Sequence, residues 1–491
     1  MSASPKEPVT DPELTSAQAL FREGNSQMAA GDPCRAESSF REAIRLEPGL
    51  AQAHANLALL LEQQGNPAAA ESCYRYALQL NPFLAKTHMN LGALLTVQKR
   101  FTEAEASYGR ALELTPDSPA LWSNRGVLLA CRKQEPEAEQ CSRRAMALDP
   151  EYRLAEFNLS YLLLRQGRYE EGWRRLEARN WYAVLESRLP YPRWRGESLK
   201  GRSLLIGFEA GHGDMIQFCR YAAVLKVLGV ARIALICHPA LKTLFSSLDS
   251  VDLLLPFDES LPSEEWDFWT PPFSIPFHCA TRLDSIPAEL PYLRADPKLA
   301  ERWCSDLDRE CAPSDLRVGL VWQGSPDFEN DAQRSLPNLG LLEPLGTLKG
   351  ARFFSLQKGR GETEAASPPA ALHLVNLGPQ MRDFADSAAI VANLDLVISV
   401  DTAMAHLAGA LGKECWLLLP DYMTDWRWLT DRNDSPWYPG VMRLFRQSTV
   451  GDWSPVVIEL CRALEDLLQR RSVTDHINIK DSEHAGNRHR I

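Results

Sequence analysis

The sequence predicts a helical repeat solenoid followed by two doubly wound α/β domains, each built on a parallel sheet. Three observations predict it. Pro48, Pro82, Pro116 and Pro150 stand in strict 34-residue register. Near residue 203 the helical pattern gives way to short apolar strands alternating with helices. A second run of such alternation begins near Leu316.

The repeats come first. A 34-residue period is the length of a helix–turn–helix unit that cannot bury its apolar face alone and must stack on copies of itself. Small residues recur as Ala36, Ala70, Ala104 and Ala138, and again as Ala43, Ala77, Ala111 and Ala145. An aromatic recurs as Phe40, Tyr74 and Tyr108, with Ser142 breaking the pattern. Small residues suit a close helix crossing, and each proline stops the second helix because it cannot continue the hydrogen-bond ladder. Leu91, Gly92, Tyr108 and Pro116 make the best copy of the unit, which resembles the tetratricopeptide repeat. A fifth, worn unit starts near Arg153 and keeps its phase through Asn158, Gly167 and Tyr169. The array is expected over residues 15–180, after a disordered N-terminus at 1–14.

Residues 181–202 are rich in Trp, Arg, Pro and Gly and read as a linker packed on its neighbours. A first sheet domain is expected over 203–312. Its strands are Ser203–Phe208, Ala231–Cys237 and Val251–Leu255, with helices from about Met215 to Leu228 and from Pro239. A second is expected over 313–470, with strands at Arg317–Trp322, Ala351–Leu356, Leu394–Val400 and Cys415–Leu419 and a closing helix over Val456–Leu468. Strands alternating with helices imply parallel sheets covered on both faces. The polar stretch 471–491 reads as a disordered tail.

Composition sets limits. The chain of 491 residues is 45% apolar and 24% charged, ordinary for a globular protein. A net charge of −11 argues against general nucleic-acid binding. Eleven cysteines lack CxxC pairs or metal-ligand spacing, as expected of reduced thiols in a cytoplasmic protein. The N-terminus lacks the apolar core of a signal peptide, and no run is long enough to span a membrane.

Several strand ends carry polar or glycine residues, as expected where ligands bind at the carboxyl edge of parallel strands. In the stretch from Asp395 to Gly412 a buried strand turns directly into a helix rich in small residues. Asp401 or Thr402 can cap that helix, whose free N–H groups suit a diphosphate. His406 lies one turn on from Thr402, where it could reach the same phosphates or serve as a partly buried core histidine. In the loop Gly211-His212-Gly213-Asp214 the glycines allow close backbone approach. Asp214 can take a proton from an acceptor hydroxyl or simply cap its helix. Gln217 and Arg220, three apart, face the cleft on the same reading. Arg334 and Lys358 are loop cations able to neutralise a departing diphosphate, or plain solvated charges. Gln323 ends its strand beside them. The aromatic loops at 421–428 and 434–439 suit a sugar or base pocket or a domain interface.

The stretch ISVDTAMAHLAGALG resembles the nucleotide-sugar loop of heptosyltransferase-like glycosyltransferases of GT-B fold. The stretches RWRGESLKGRSLLIGFEAGHGDMIQFCRY, VGLVWQGSPDFENDAQRS and FFSLQKG resemble the bacterial subset fused to tetratricopeptide repeats. The resemblance implies Asp214 as general base, with Gly211, Gly213, Gln217 and Arg220 on the acceptor side. It implies donor contacts from Asp401, Thr402, Ala403 and His406, together with Gln323, Arg334 and Lys358. It further implies a nucleotide-sugar donor, inversion at the sugar carbon, and a protein or peptide partner on the repeats. No DxD-like motif sits at a suitable strand end, so no metal or other cofactor is expected. Ala210, His212 and Phe328 depart from that subset, which usually carries glutamine, an apolar residue and histidine there. Two other readings stand beside this one: a repeat scaffold with a degenerate transferase domain, and an O-linked N-acetylglucosamine-type transferase.

Overall fold

Register alone dictates where the repeat helices touch. The structure, a computed structural model, describes residues 15–259, 265–328 and 330–487. The chain divides into two compact units, Met1–Leu159 and Ser160–Ile491. The expected N-terminal stretch 1–14 lies outside the described residues.

In the first unit, four pairs of helices run from Ser16–Ala29 to Glu135–Leu148, and a ninth helix, Arg153–Arg165, carries the chain across the unit boundary. The recurring alanines and the aromatics Phe40, Tyr74 and Tyr108 are buried. Ser142, which breaks the aromatic register, is also buried, and its hydroxyl donates to the Ala138 carbonyl at 3.1 Å. A further bond repeats with the period. His54 Nε2 lies 3.0 Å from the Pro48 carbonyl, His88 Nε2 lies 3.1 Å from that of Pro82, and Trp122 Nε1 donates to that of Pro116 at 2.8 Å. An interrepeat proline leaves a carbonyl to satisfy, and a ring N–H six residues later reaches it.

The second unit holds two sheets whose strands all pair in parallel. In the first, β1 (Ser203–Ile206), β2 (Arg232–Cys237), β3 (Leu253–Pro256) and β4 (Phe268–Thr270) lie in the order β3-β2-β1-β4. In the second, β5 (Leu316–Val321), β6 (Ala351–Ser355), β7 (Val375–Asn376), β8 (Leu396–Val400), β9 (Cys415–Leu419) and β10 (Met442–Arg446) lie in the order β10-β9-β8-β5-β6-β7. β8 and β9 are buried along their whole length, as apolar strands covered on both faces must be. Because β5 and β8 are neighbours, the loops at Gln323 and Asp401 leave the sheet side by side, at the point where strand order reverses.

Several expectations change. β4, β7 and β10 are added to the strands expected. The helix expected from Met215 to Leu228 is two, His212–Phe218 and Tyr221–Val227. The helix Tyr169–Leu176, expected within the repeat array, falls in the second unit, where Tyr169 and Trp173 pack against Trp426 and Trp437. The 181–202 stretch extends the first sheet, with the Trp194 amide donating to the Trp269 carbonyl at 2.8 Å and the Trp269 amide to that of Pro192 at 3.0 Å. The closing helix runs from Ser454 to Asn487, so the backbone of 471–487, expected to be irregular, is helical. Among the described residues no helix is long and apolar enough to cross a membrane.

Two glycines test the packing with opposite signs. A Cβ on Gly92 would meet the buried Tyr108 ring at 2.8 Å, whereas one on Gly109 would meet nothing within 4 Å. Gly92→Ala is expected to destabilise the first unit by about 1–3 kcal/mol. Gly109→Ala, mid-helix, is expected to stabilise it by up to about 1 kcal/mol. Thermal or urea unfolding of the two variants checks both, and equal shifts would contradict the crossing geometry.

Candidate functional site

The site grows from two helix starts that meet. Gly211 begins the turn into His212–Phe218, and its amide donates to Asp214 Oδ2 at 2.8 Å. Thr402 caps the helix Ala403–Ala410, its hydroxyl accepting from the Met404 amide at 3.3 Å. The turn presses on that helix: a Cβ on Gly213 would lie 2.8 Å from His406 Cδ2 and 3.3 Å from Ala403 Cα. Only glycine allows this approach. The turn that carries Asp214 thus packs directly on the amide-rich start of the Ala403–Ala410 helix.

Arg427 ties the loops around this contact together. Its side chain is 6% exposed. Its Nη2 donates to Asp214 and its Nε to Gln217 Oε1, while Nη1 sits 3.0 Å from both Asp425 oxygens. The guanidinium stacks over the Trp426 ring at 4.4 Å. Burial pushes the Asp214 carboxyl above the usual carboxylate range, while Arg427 and the Gly211 amide pull it back. Asp401 is pushed up to about 6 by burial and by the neighbouring Asp425. Trp428 Nε1 donates to Asp401 Oδ2 at 2.9 Å. His406 is buried, with Nδ1 2.8 Å from the Tyr438 hydroxyl and its ring stacked on Trp428 at 5.4 Å. Burial, reinforced by Arg427, Arg220 and Arg334, holds it neutral, well below the usual histidine range.

Arg334 also acts here. Its guanidinium lies 4.1 Å over the Phe328 ring and pairs with Asp331 at 3.3 Å, and its charge bears on Asp214, Asp401 and His406. Phe328, one of the unusual residues of this loop, thereby shields an arginine.

The other expected residues take different places. Gln217 and Arg220 do not line an open cleft; both are buried. Arg220 is caged by Tyr292 at 4.3 Å and Tyr438 at 4.8 Å, and it donates to the carbonyls of Gln217, Pro287 and Trp437 and to the Tyr292 hydroxyl. Their i, i+3 spacing puts them on one helix face correctly, but that face packs against the second half. Gln323 gives its amide to the Leu336 and Pro337 carbonyls and to Glu364. Lys358 turns its ammonium to the Gly378 carbonyl at 2.7 Å, beside β7. Sequence reasoning sees Arg427, Asp425 and Trp428 only as parts of an aromatic loop, with no role of their own. The available signal is an aspartate and an arginine set between tryptophans in a loop at a strand end. Among the described residues, no group of three or more His, Cys, Asp or Glu side chains is placed to hold a metal ion.

Two parts of the chain are similar to known families. Residues 21–85 and 89–140 match the tetratricopeptide repeat family, and residues 349–415 match glycosyltransferase family 9 (heptosyltransferase). Protein FlbA of Caulobacter vibrioides is 28% identical over 335 residues, covering 64% of this chain and 55% of that one. The chain therefore spans about half the length of that curated relative. The solved structure of pilF from Pseudomonas aeruginosa is 23% identical, covers 35% of this chain and 85% of that one, and superposes with a TM-score of 0.31. A thermophilic TPR protein of Thermus thermophilus is 22% identical, covers 35% and 96%, and superposes at 0.31. The chain thus carries tetratricopeptide repeats at its N-terminal side and a heptosyltransferase-family segment that includes the Asp401–His406 stretch.

Proposed function

We propose that this chain moves a sugar from a nucleotide-sugar donor to a hydroxyl of an acceptor, while the repeats hold the acceptor protein or a partner. The observation that carries the reading is the packing of the Gly213 turn, next to Asp214, on the helix start at Ala403, within the unit that holds the family 9 match. Asp214 takes the proton of the acceptor hydroxyl. Its two oxygens already accept from Gly211 and Arg427, but each carboxylate oxygen has a second lone pair for that hydroxyl. The acceptor oxygen attacks the anomeric carbon from the side opposite the leaving group, so the new bond is inverted. The bond to the diphosphate breaks, and its charge falls to the helix N-terminus and Arg334. Neutral His406 can donate or accept a hydrogen bond there but brings no charge. Lys358 and Gln323 are assigned no step. No metal is called for, since the helix start and the arginine meet the leaving charge. The eleven free thiols suit a cytoplasmic location.

A second reading, a scaffold without turnover, is favoured by one observation: the Asp214 carboxylate already closes an N-cap and an ion pair between the two halves. The two readings separate on nucleotide binding. Transfer requires that at least one of UDP, ADP, GDP or CDP raise the melting temperature, because a ligand bound only to the folded state must do so. Silence from all four would favour the scaffold. If a nucleotide binds, Asp214→Asn is expected to keep that shift and to reduce transfer by at least about 100-fold. Turnover surviving in this variant would remove Asp214 from the mechanism.

Asp401 gives a pH dependence. Its folded value of about 6 lies above the ordinary 3.8, so it is neutral in the folded protein below about pH 6 and anionic above. A carboxylate at the diphosphate site repels the ligand. Affinity for a nucleotide-sugar, whose diphosphate does not titrate here, should weaken as pH rises from about 5 to about 7, by roughly tenfold or about 1.4 kcal/mol. In Asp401→Asn, calorimetric titration should show the dependence flattened; an unchanged slope would place the donor elsewhere.

A further inference from the structure

Behind the candidate base, on the far side of its loop, lies an ion pair with no exposure at all. Arg179 Nε sits 2.6 Å from Glu209 Oε1 and its Nη2 sits 3.0 Å from Oε2; both side chains are 0% exposed. The same guanidinium donates to Glu177 at 2.9 Å, to the Leu176 carbonyl at 3.1 Å and to the Ser274 hydroxyl at 3.0 Å. Arg193 grips the other Glu177 oxygen and stacks over Tyr182 at 4.1 Å. Burying charges is unfavourable unless every donor and acceptor is satisfied and the geometry is fixed. Here it is fixed, and the element it fixes is the loop that carries Asp214.

The chain of constraint is short. Glu209 follows the end of β1 and is held by Arg179 and, at 3.4 Å, by the Phe273 amide. Ala210 next adopts φ +61°, the left-handed region that an L-residue with a Cβ avoids. That turn aims the Gly211 amide at Asp214 Oδ2. Upstream, Gly207 lies so close to Leu185 that a Cβ would meet it at 2.4 Å. The segment 177–194 therefore clamps the loop from behind, at Gly207 and at Glu209. A strained alanine persists only where its surroundings over-determine it, and the anchored Glu209 does this.

We propose that Arg179 is a positioning residue for Asp214, acting through Glu209 and the Ala210–Gly211 turn, although it lies before the first strand. The proposal rests on Asp214 as the base of the transfer reaction. It assigns a function in the site to a segment that reads in sequence as the end of a repeat and a linker.

The test uses the full chain. Arg179→Met alone leaves Glu209 charged and unpaired, so it is combined with Glu209→Gln, which removes both charges together. Arg179→Lys keeps the charge but loses the two-pronged grip and serves as the conservative variant. The first readout needs no ligand: with selective 15N-glycine labelling, the Gly211 amide resonance should follow the titration of Asp214 in the parent. It should lose that titration in the paired variant, partly recover it in Arg179→Lys, and lack it in Asp214→Asn. The second readout is turnover with a panel of nucleotide-sugars. The paired variant should bind nucleoside diphosphates as the parent does and keep KM for the donor, while kcat falls about 10- to 100-fold. In the Asp214→Asn background the same substitutions should change the residual rate no further. A Gly211 titration that survives in the paired variant, or a kcat equal to the parent's, overturns the proposal. Turnover that survives Asp214→Asn overturns the base assignment instead, and the Gly211 titration then still decides whether Arg179 positions the carboxylate. Should the paired variant not fold, Arg179→Lys decides on both readouts, a parental value in each counting against the proposal.

Discussion

Arg427 bridges the two halves of the second unit. Its guanidinium spends one nitrogen on Asp214, one on Gln217 and one on Asp425. The first two partners stand on the helix His212–Phe218 beyond β1, and the third stands in the loop beyond β9. A buried arginine must satisfy a planar fork of donors, so the partners cannot drift independently. The positions of Asp214, of the aromatic loop at 425–428 and of the Gly213 turn against Ala403 follow from that one requirement. Removing Asp214 or Asp425 would leave the buried guanidinium with one carboxylate in place of two.

Aromatic rings keep this charge in a dry setting. Trp426 stacks on Arg427, Trp428 lies on His406, and Tyr438 takes the remaining side of that histidine and the face of Arg220. Even Gly409 is dictated by this wall, since a Cβ there would meet the Tyr438 ring at 2.3 Å. Low polarity explains the directions of titration together: His406 is held neutral and Asp214 and Asp401 are raised. A site walled by rings and crossed by Arg427 thus holds two carboxylates shifted toward neutrality. That property suits a reaction in which a proton leaves an acceptor as negative charge appears on a diphosphate.

The fold is legible because it rests on periods. A 34-residue register and the alternation of apolar strands with helices survive in any single sequence. β4, with three residues, and β7, with two, are too short to carry a pattern, and β10 is masked by the aromatic loops before it. At the site, Asp214, Asp401, Thr402 and His406 are legible because each sits at a strand-to-helix turn, where local sequence shows it. The depth of Gln217 and Arg220 is not. An i, i+3 pair defines a face, and what covers that face depends on Trp437 and Tyr438, more than 200 residues further along the chain. Arg427 is hidden for the same reason, since its partners on the other half share no local pattern with it.

The worn fifth repeat shows how a period can outlast its use. Gly172 stands 34 residues after Ala138, and a Cβ on it would strike Leu164 at 2.8 Å, so the small residue of the crossing is still demanded. Tyr169 stands two periods after the half-buried Phe101 but is itself fully buried. Yet Trp437 Nε1 donates to the Tyr169 hydroxyl at 3.1 Å, and Trp173, one turn on, packs edge-on against Trp426 at 5.1 Å. The helix keeps the inner face of a repeat unit while its other face has become part of the wall behind Arg427. The retained phase makes sequence alone extend the array to residue 180. The contacts assign this helix to the unit that begins at Ser160. A truncation placed by the repeat period would therefore remove the support of Trp426 and Trp437 along with the repeats.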